Sequence, residues 1–279
     1  MSGMLYLCAT PIGNLEDVTM RVLRVLQQVD VIAAEDTRQS IKLLNHYEIK
    51  TPLISYHEHN KFEKTPILVE RMAAGESVAL VTDAGTPAIS DPGEDLVRAC
   101  YEAGVPVTSL PGASAVITAL TLSGMKARRF TFEGFLPMDK KERAQVLCRL
   151  SDTTCTTVFY EAPHRLLKTL SFFEETVGAE RKLAICKELT KKHESALHMT
   201  VGEAIFYFKE HEPKGEFVLI VEGANAEEQE RKKQEKWQEM PMEEHMEIYM
   251  RQGLTKKEAM KAVAKDRGVS KRDVYAALL

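Results

Sequence analysis

The sequence predicts an α/β fold: a parallel-sheet N-terminal domain, a mixed-sheet second domain and a small helical C-terminal appendage. Three observations carry this expectation. The first half alternates short apolar runs with helically spaced segments about five times, as in a parallel sheet with helices on its faces. The second half repeats strand and helix signals in a less regular order, so its sheet need not be wholly parallel. Beyond about residue 225 strand signals stop and amphipathic or charged helical patterns take over. The expected divisions are residues 1–122, 123–225 and 226–279. A length of 279 residues suits this, at about 100–200 residues per domain.

The first strand is expected over 4–9, ended by Pro11 and Gly13. A helix over 18–29 follows, with Val18, Val22, Val25, Leu26 and Val29 on one face. Residues 31–34 read as a strand, 37–46 as a helix and 52–56 as a weak strand. A helix over 62–74 is closed by Gly75. The clearest strand is 77–82. A Gly- and Pro-rich loop leads from it to a helix over 94–103, stopped by Gly104. A fifth strand spans 105–110, and a short helix 113–122.

Residues 123–129, with a glycine and three basic side chains, read as the junction. Beyond it come a strand 130–135, a helix 140–150, a strand 156–160 and a helix 163–176 with Pro163 at its first position. Strands at 182–187, 195–200 and 217–221 and a short helix at 203–209 complete this part. Residues 226–238 read as a charged connecting helix. Helices at 242–251, 256–265 and 271–279 form the appendage. Thr255 with Glu258 makes one capping box and Ser270 with Asp273 resembles another; Gly253 and Gly268 mark the turns.

Composition narrows the function classes. Hydrophobic residues are 44% and charged residues 28%, which excludes a disordered or collagen-like chain. Apolar stretches such as 77–81 fall far short of the roughly 20 residues a membrane helix needs. The N-terminus lacks the basic lead of a signal peptide. Cys8, Cys100, Cys148, Cys155 and Cys186 are odd in number and form no C-x-x-C pair. They read as reduced thiols of a cytoplasmic protein, not as a zinc site. No metal is expected. The net charge of -4 argues against coating nucleic acid by bulk charge, but residues 248–279 hold eight basic against three acidic groups.

Loops at the carboxyl ends of the strands are where open α/β sheets bind ligands. Here these are 10–14, 35–38, 56–60, 83–93 and 111–114. The 83–93 loop holds two Gly, two Pro and two Asp. Glycine lets a ligand approach the backbone, and proline stiffens the loop. Pro111-Gly112-Ala113-Ser114 opens a helix whose first amides could hold an anionic group. Neither G-x-G-x-x-G nor G-x-x-x-x-G-K-[ST] is present, which lowers the expectation of a nicotinamide, flavin or P-loop enzyme. Glu35-Asp36-Thr37-Arg38 and His57-Glu58-His59 lie at adjacent strand ends, which suits proton transfer. Asp36 or Thr37 as a helix cap, and Asp36 with Arg38 as a structural ion pair, stay open as alternatives.

Read together, these segments resemble a known family. Ala9-Thr10-Pro11-Ile12-Gly13-Asn14-Leu15, Ala33-Ala34-Glu35-Asp36-Thr37-Arg38, Ser55-Tyr56-His57-Glu58, Thr82-Asp83-Ala84-Gly85-Thr86-Pro87, Ile89-Ser90-Asp91-Pro92-Gly93, Pro111-Gly112-Ala113-Ser114, Phe132-Glu133-Gly134-Phe135-Leu136-Pro137, Phe159-Tyr160-Glu161-Ala162-Pro163-His164-Arg165 and Lys187-Glu188-Leu189-Thr190-Lys191 occur in order. They are similar to the signatures of the bacterial small-subunit rRNA methyltransferase I family, within the tetrapyrrole methylase superfamily. Gly85-Thr86-Pro87 stands where tetrapyrrole methylases usually carry Gly-Asp-Pro, which counts against a porphyrin or corrin substrate.

The resemblance implies two α/β domains with S-adenosyl-L-methionine in the cleft between them, a homodimer, and 16S rRNA of the small ribosomal subunit as partner. It implies methyl transfer to the ribose 2′-hydroxyl of a cytidine near the decoding centre. The cofactor is expected at Pro11, Ile12, Gly13, Asp83, Gly85, Thr86, Ile89, Ser114, Ala115, Tyr160 and Lys214. Direct displacement requires no covalent intermediate, but a ribose hydroxyl is a poor nucleophile and calls for a base. Glu35, Asp36, His57 and Glu58 are the candidates, in no firm order. Arg38, His164, Arg165, Lys187 and Lys191 are candidates for phosphate contacts. Two alternatives remain: a tetrapyrrole C-methyltransferase, and a non-catalytic ribosome-assembly factor.

Overall fold

A computed structural model of the chain describes residues 3–227, 229, 237 and 239–278. Its first sheet holds β1 (Leu5–Cys8), β2 (Val31–Ala34), β3 (Leu53–Ser55), β4 (Val78–Val81) and β5 (Val107–Leu110), all parallel, in the order β3-β2-β4-β1-β5. The helices between them are α1 (Met20–Gln28), α2 (Thr37–His46), α3 (Lys61–Ala73) and α4 (Gly93–Glu102). Successive side chains of a strand point to opposite faces. Val78 and Leu80 therefore pack with Leu68, Met72 and Leu96 of α3 and α4, while Ala79 and Val81 pack with Val22, Leu26 and Leu44 of α1 and α2. The inner strands β2 and β4 are apolar throughout because both their faces are covered. Connections after β1 and β2 run to one face and those after β3 and β4 to the other. Such a reversal opens a crevice at the carboxyl ends of the central strands.

The second sheet has the order β6-β7-β10-β8-β9, from β6 (Phe130–Phe135), β7 (Thr156–Glu161), β8 (Lys182–Lys187), β9 (Ser195–Thr200) and β10 (Phe217–Val221). Only the β6–β7 pairing is parallel, so the sheet is mixed as the sequence implied. Helices α6 (Lys140–Asp152), α7 (Leu166–Val177) and α8 (Val201–Glu210) cover one face. The other face is covered by α5 (Ala115–Ser123). Its Val116, Ala119 and Leu120 pack on Val158, Ala184, Cys186, Val218 and Ile220. The division at 122/123 thus falls inside a helix whose packing partner is the second sheet.

Several element boundaries differ from expectation by two or three residues, and two of these have a plain local cause. Pro163 is not a first helical residue: Ala162 to Arg165 form a turn closed by the Arg165 amide on the Ala162 carbonyl at 3.0 Å, and α7 begins at Leu166. The helix expected at 203–209 begins at Val201, because Thr200 and Glu203 form a capping box.

The appendage comprises α9 (Met242–Arg251), α10 (Lys256–Asp266) and α11 (Lys271–Ala277), joined around a core of Met246, Ala259, Met260, Val263, Ala264 and Val274. Both capping boxes expected there are formed. Most of the connecting helix expected at 226–238 lies outside the described residues. The five cysteines are free. Among the described residues no helix is long and apolar enough to cross a membrane, and no three His, Cys, Asp or Glu side chains gather to hold a metal ion.

Candidate active site

A cavity of about 540 Å³ lies at the carboxyl ends of the first sheet's strands and against the second sheet. That is within the roughly 300–1,000 Å³ range of small-molecule sites. The first sheet contributes Ile12 after β1, Glu35 after β2, residues 82–86 and 89–91 after β4, and Ser114-Ala115 after β5. The second sheet contributes Phe135, residues 160–163, Leu189 and residues 216–218.

The loops are fixed by bonds between them. The Thr10 and Gly85 backbones exchange hydrogen bonds at 2.9 and 3.0 Å, and the Thr86 hydroxyl donates to the Ala113 carbonyl at 3.0 Å. Gly85 has φ +84°, a region that glycine adopts without the Cβ penalty. Ala88 has φ +66°, which is strained for a residue with a Cβ. The Asp91 carboxylate holds this turn by accepting from the Ala88 amide at 2.8 Å and the Gly93 amide at 2.9 Å. Burial pushes the Asp91 carboxyl up from its ordinary value, against the pull of these amides. Burial likewise raises Asp83, whose carboxylate accepts from the Asp36 amide at 3.0 Å and stands near Glu35 and Asp36.

Of the four candidate acids and bases, only Glu35 lines the cavity. Its carboxylate accepts from the Thr82 hydroxyl at 2.7 Å. Asp36 is the N-cap of α2: its side chain accepts from the Arg38 amide at 2.8 Å and pairs with the Arg38 guanidinium at 2.8 Å. These bonds hold the Asp36 carboxyl down at about 2. The cap and ion-pair alternatives are therefore both realised in Asp36. His57 is half-buried at the end of β3, near the Asn60 side-chain amide at 3.3 Å, and Glu58 is exposed and paired with Lys61 at 2.7 Å. Neither reaches the cavity lining, because β3 is an edge strand.

Of the expected cofactor residues, Ile12, Asp83, Gly85, Thr86, Ile89, Ser114, Ala115 and Tyr160 line the cavity. Pro11 and Gly13 share the loop of Ile12 but lie outside the lining. Gly13 instead permits a close approach of two loops. A Cβ there would come within 2.8 Å of the Leu189 carbonyl and 2.7 Å of the Thr190 hydroxyl, so its loop lies directly on the second sheet's 188–194 loop. Lys214 is exposed and paired with Glu212 at 2.9 Å; the neighbouring Glu216, Phe217 and Val218 reach the cavity instead. Burial raises the Tyr160 phenol, opposed by a hydrogen bond from the Val116 backbone.

The candidate phosphate contacts are dispersed. Arg38 is exposed beside Asp36, and His164 is exposed outside the lining. Arg165 donates to the Leu136 carbonyl and pairs with Glu161 at 3.4 Å. Lys187 is half-buried at the end of β8, and Lys191 bridges Glu188 at 3.1 Å and Glu216 at 2.8 Å. Glu161 was not among the expected site residues. Its side chain is fully buried, accepts from Thr169 at 2.5 Å and from the Ala162 amide at 2.8 Å, and borders the cavity. The signal for it was its place between Tyr160 and Pro163. Nothing in the strand-like run 217–221 marks Phe217 and Val218 as cavity residues.

The lining suits a cationic ligand with an apolar part. Glu35, Asp83 and Asp91 supply negative charge, while Ile12, Ala115, Leu189 and Val218 supply apolar walls. Ser114, the N-cap of α5, makes no side-chain cap bond, and in the first turn of that helix the Val116 amide is taken by Tyr160.

Comparison with known proteins identifies the family. Residues 4–205 match the model of the tetrapyrrole (corrin/porphyrin) methylases. The chain is 50% identical over 273 residues to the ribosomal RNA small subunit methyltransferase I of Halalkalibacterium halodurans, covering 98% of this chain and 93% of that protein. It is 49% identical, over the same shares of the two chains, to the corresponding protein of Bacillus subtilis. Among solved structures, it is similar in fold to a uroporphyrin-III C-methyltransferase of Thermus thermophilus in complex with S-adenosylhomocysteine. The TM-score is 0.56 at 18% identity, over 79% of this chain and 97% of that one.

Proposed function

The chain belongs to the tetrapyrrole methylase family and groups there with the small-subunit rRNA methyltransferases I; from that premise we propose that it methylates the ribose 2′-hydroxyl of a cytidine in small-subunit rRNA. The methyl donor is S-adenosylmethionine, and the Thermus relative holding S-adenosylhomocysteine is in keeping with this. Bound there, the donor supplies an electrophilic methyl group on a sulfonium cation. Ile12, Gly85, Thr86, Ser114, Ala115 and Tyr160 would hold it, with Asp83 and Asp91 adding negative charge to the lining.

The observation that carries the reading is the place of Glu35. It is the one candidate base in the cavity lining, and the Thr82 hydroxyl occupies one of its oxygens. The other oxygen is the acceptor for the hydroxyl proton, and the Thr82 bond fixes the carboxylate's orientation. Asp36 serves differently: held ionised by Arg38, it orients that guanidinium at the cavity's edge for a phosphate. His57 and Glu58 lie one strand further out and fit contact with the RNA better than proton transfer. The homodimer is part of the same proposal, since α5 keeps Ile117 and Leu122 exposed while its other face packs on the second sheet.

Radiolabelled methyl transfer to undermethylated small subunits tests this. Nuclease digestion should place the label on the ribose of a cytidine. Label on a base, or transfer to uroporphyrinogen III in place of rRNA, would overturn it.

A further inference from the structure

We propose that the helical appendage is an RNA-binding surface, formed by a lysine ladder on α10 and a basic, aromatic face on α11. The proposal rests on the rRNA substrate reading above and adds where the RNA is held outside the catalytic cavity.

Lys257, Lys261 and Lys265 recur every fourth residue on α10, so they rise along one side of the helix by about 6 Å per step. All three are exposed, and they stand away from the side that buries Ala259, Met260, Val263 and Ala264. Lys271 and Arg272 are exposed in the first turn of α11. Tyr275, 56% exposed, follows Lys271 by four residues and Arg272 by three, and so shares their face.

These cations are not neutralised locally. Residues 248–279 hold only three acids. Glu258 accepts from the Thr255 amide and hydroxyl at 2.9 and 2.6 Å, and Asp273 accepts from the Ser270 amide and hydroxyl at 3.0 and 2.7 Å. Asp266 accepts from the Tyr249 hydroxyl and pairs with buried His245. Among the described residues, none of Lys257, Lys261, Lys265, Lys271 or Arg272 has a carboxylate partner.

A line of three cations favours a linear polyanion over a single phosphate, because each step of the ladder meets a further charge. The exposed tyrosine among cations adds a platform for an unstacked base, which distinguishes RNA from an anionic membrane.

The test uses the full-length protein and protein-free small-subunit rRNA as probe. The triple variant Lys257→Gln, Lys261→Gln and Lys265→Gln should bind rRNA at least about tenfold more weakly in 0.1 M KCl. Its plot of log affinity against log salt should be flatter by about 2, at about 0.7 per lost contact. Tyr275→Ala should lose about tenfold with the slope unchanged, since stacking releases no counterion. Affinity for S-adenosylmethionine and the circular dichroism spectrum should match the wild type in both. A triple variant with wild-type affinity and slope overturns the surface, as does loss of binding to phosphatidylglycerol vesicles without loss of binding to rRNA. If the wild type transfers no methyl group to rRNA yet binds it through these lysines, the substrate reading fails and the surface stands.

Discussion

The Thr82 hydroxyl donates to the Glu35 carboxylate at 2.7 Å, joining the carboxyl ends of the neighbouring strands β4 and β2 at the cavity. If that carboxylate takes the ribose proton, Glu35→Gln should lower kcat for rRNA methylation by about 10²–10⁴ while S-adenosylmethionine affinity changes little. Thr82→Val should lose far less, about tenfold, through misorientation. Single-turnover methyl transfer with calorimetric cofactor binding separates the two effects.

Asp36 has a cap and an ion pair to maintain, and its carboxyl titrates at about 2. A group so acidic is a poor proton acceptor at neutral pH. Asp36→Asn keeps a good N-cap residue and should cost much less in kcat than Glu35→Gln, with its loss seen in KM for rRNA as Arg38 is freed. A larger kcat loss than in Glu35→Gln would move the base to Asp36.

Gly13 lies where the two layers touch, and the Asn14 amide donates to the Thr190 hydroxyl at 3.0 Å beside it. Gly13→Ala drives a Cβ into the Leu189 carbonyl, a backbone atom that cannot swing aside. A loss of about 1–3 kcal/mol in urea unfolding is expected, typical of overpacking. Unchanged stability would mean that the 188–194 loop yields freely.

Asp91 stabilises the strained turn at Ala88 through two amides. Asp91→Ala should loosen that loop and weaken S-adenosylmethionine binding about tenfold, with a small change in Tm because the strands are untouched. Faster amide exchange over residues 86–91 would accompany it.

His245 gives the appendage a pH dependence. It is buried, stacked on Trp237, and accepts from Arg267 at Nδ1. Burial lowers its pKa below the ordinary value of 6.5, partly opposed by Asp266. The folded state therefore binds its proton less readily than the unfolded state. Stability from this site is fully present above 6.5 and is lost as pH falls from there through the lowered folded value. Thermal melts between pH 7.5 and 5 should show an appendage transition that falls in temperature, and His245→Phe should flatten that fall.

Much of the fold was legible because period and punctuation agree. In β4 and β2 a run of four apolar residues marked each strand, and Thr255 with Glu258 marked the start of α10 from residue types alone. Gly85, Thr86 and Ser114, which the family resemblance named as cofactor residues, all line the cavity. The site was less legible where strand order decides. The sequence places Glu35 and His57 at successive strand ends, but only pairing shows that β2 lies next to central β4 while β3 is the edge. Lys214 shows the same limit at shorter range: it shares a loop with Glu216, yet its side chain turns to Glu212.

Helix α5 follows the first sheet in sequence and packs on the second. A gene broken between its two α/β halves would therefore yield one product with Val116, Ala119 and Leu120 bare and another with an uncovered sheet face. The halves cannot be shuffled between genes as separate modules. On the ribosome, α5 must wait for Val218 and Ile220 of β10, a delay of roughly 5–20 s at about 5–20 residues per second, before its apolar face is shielded.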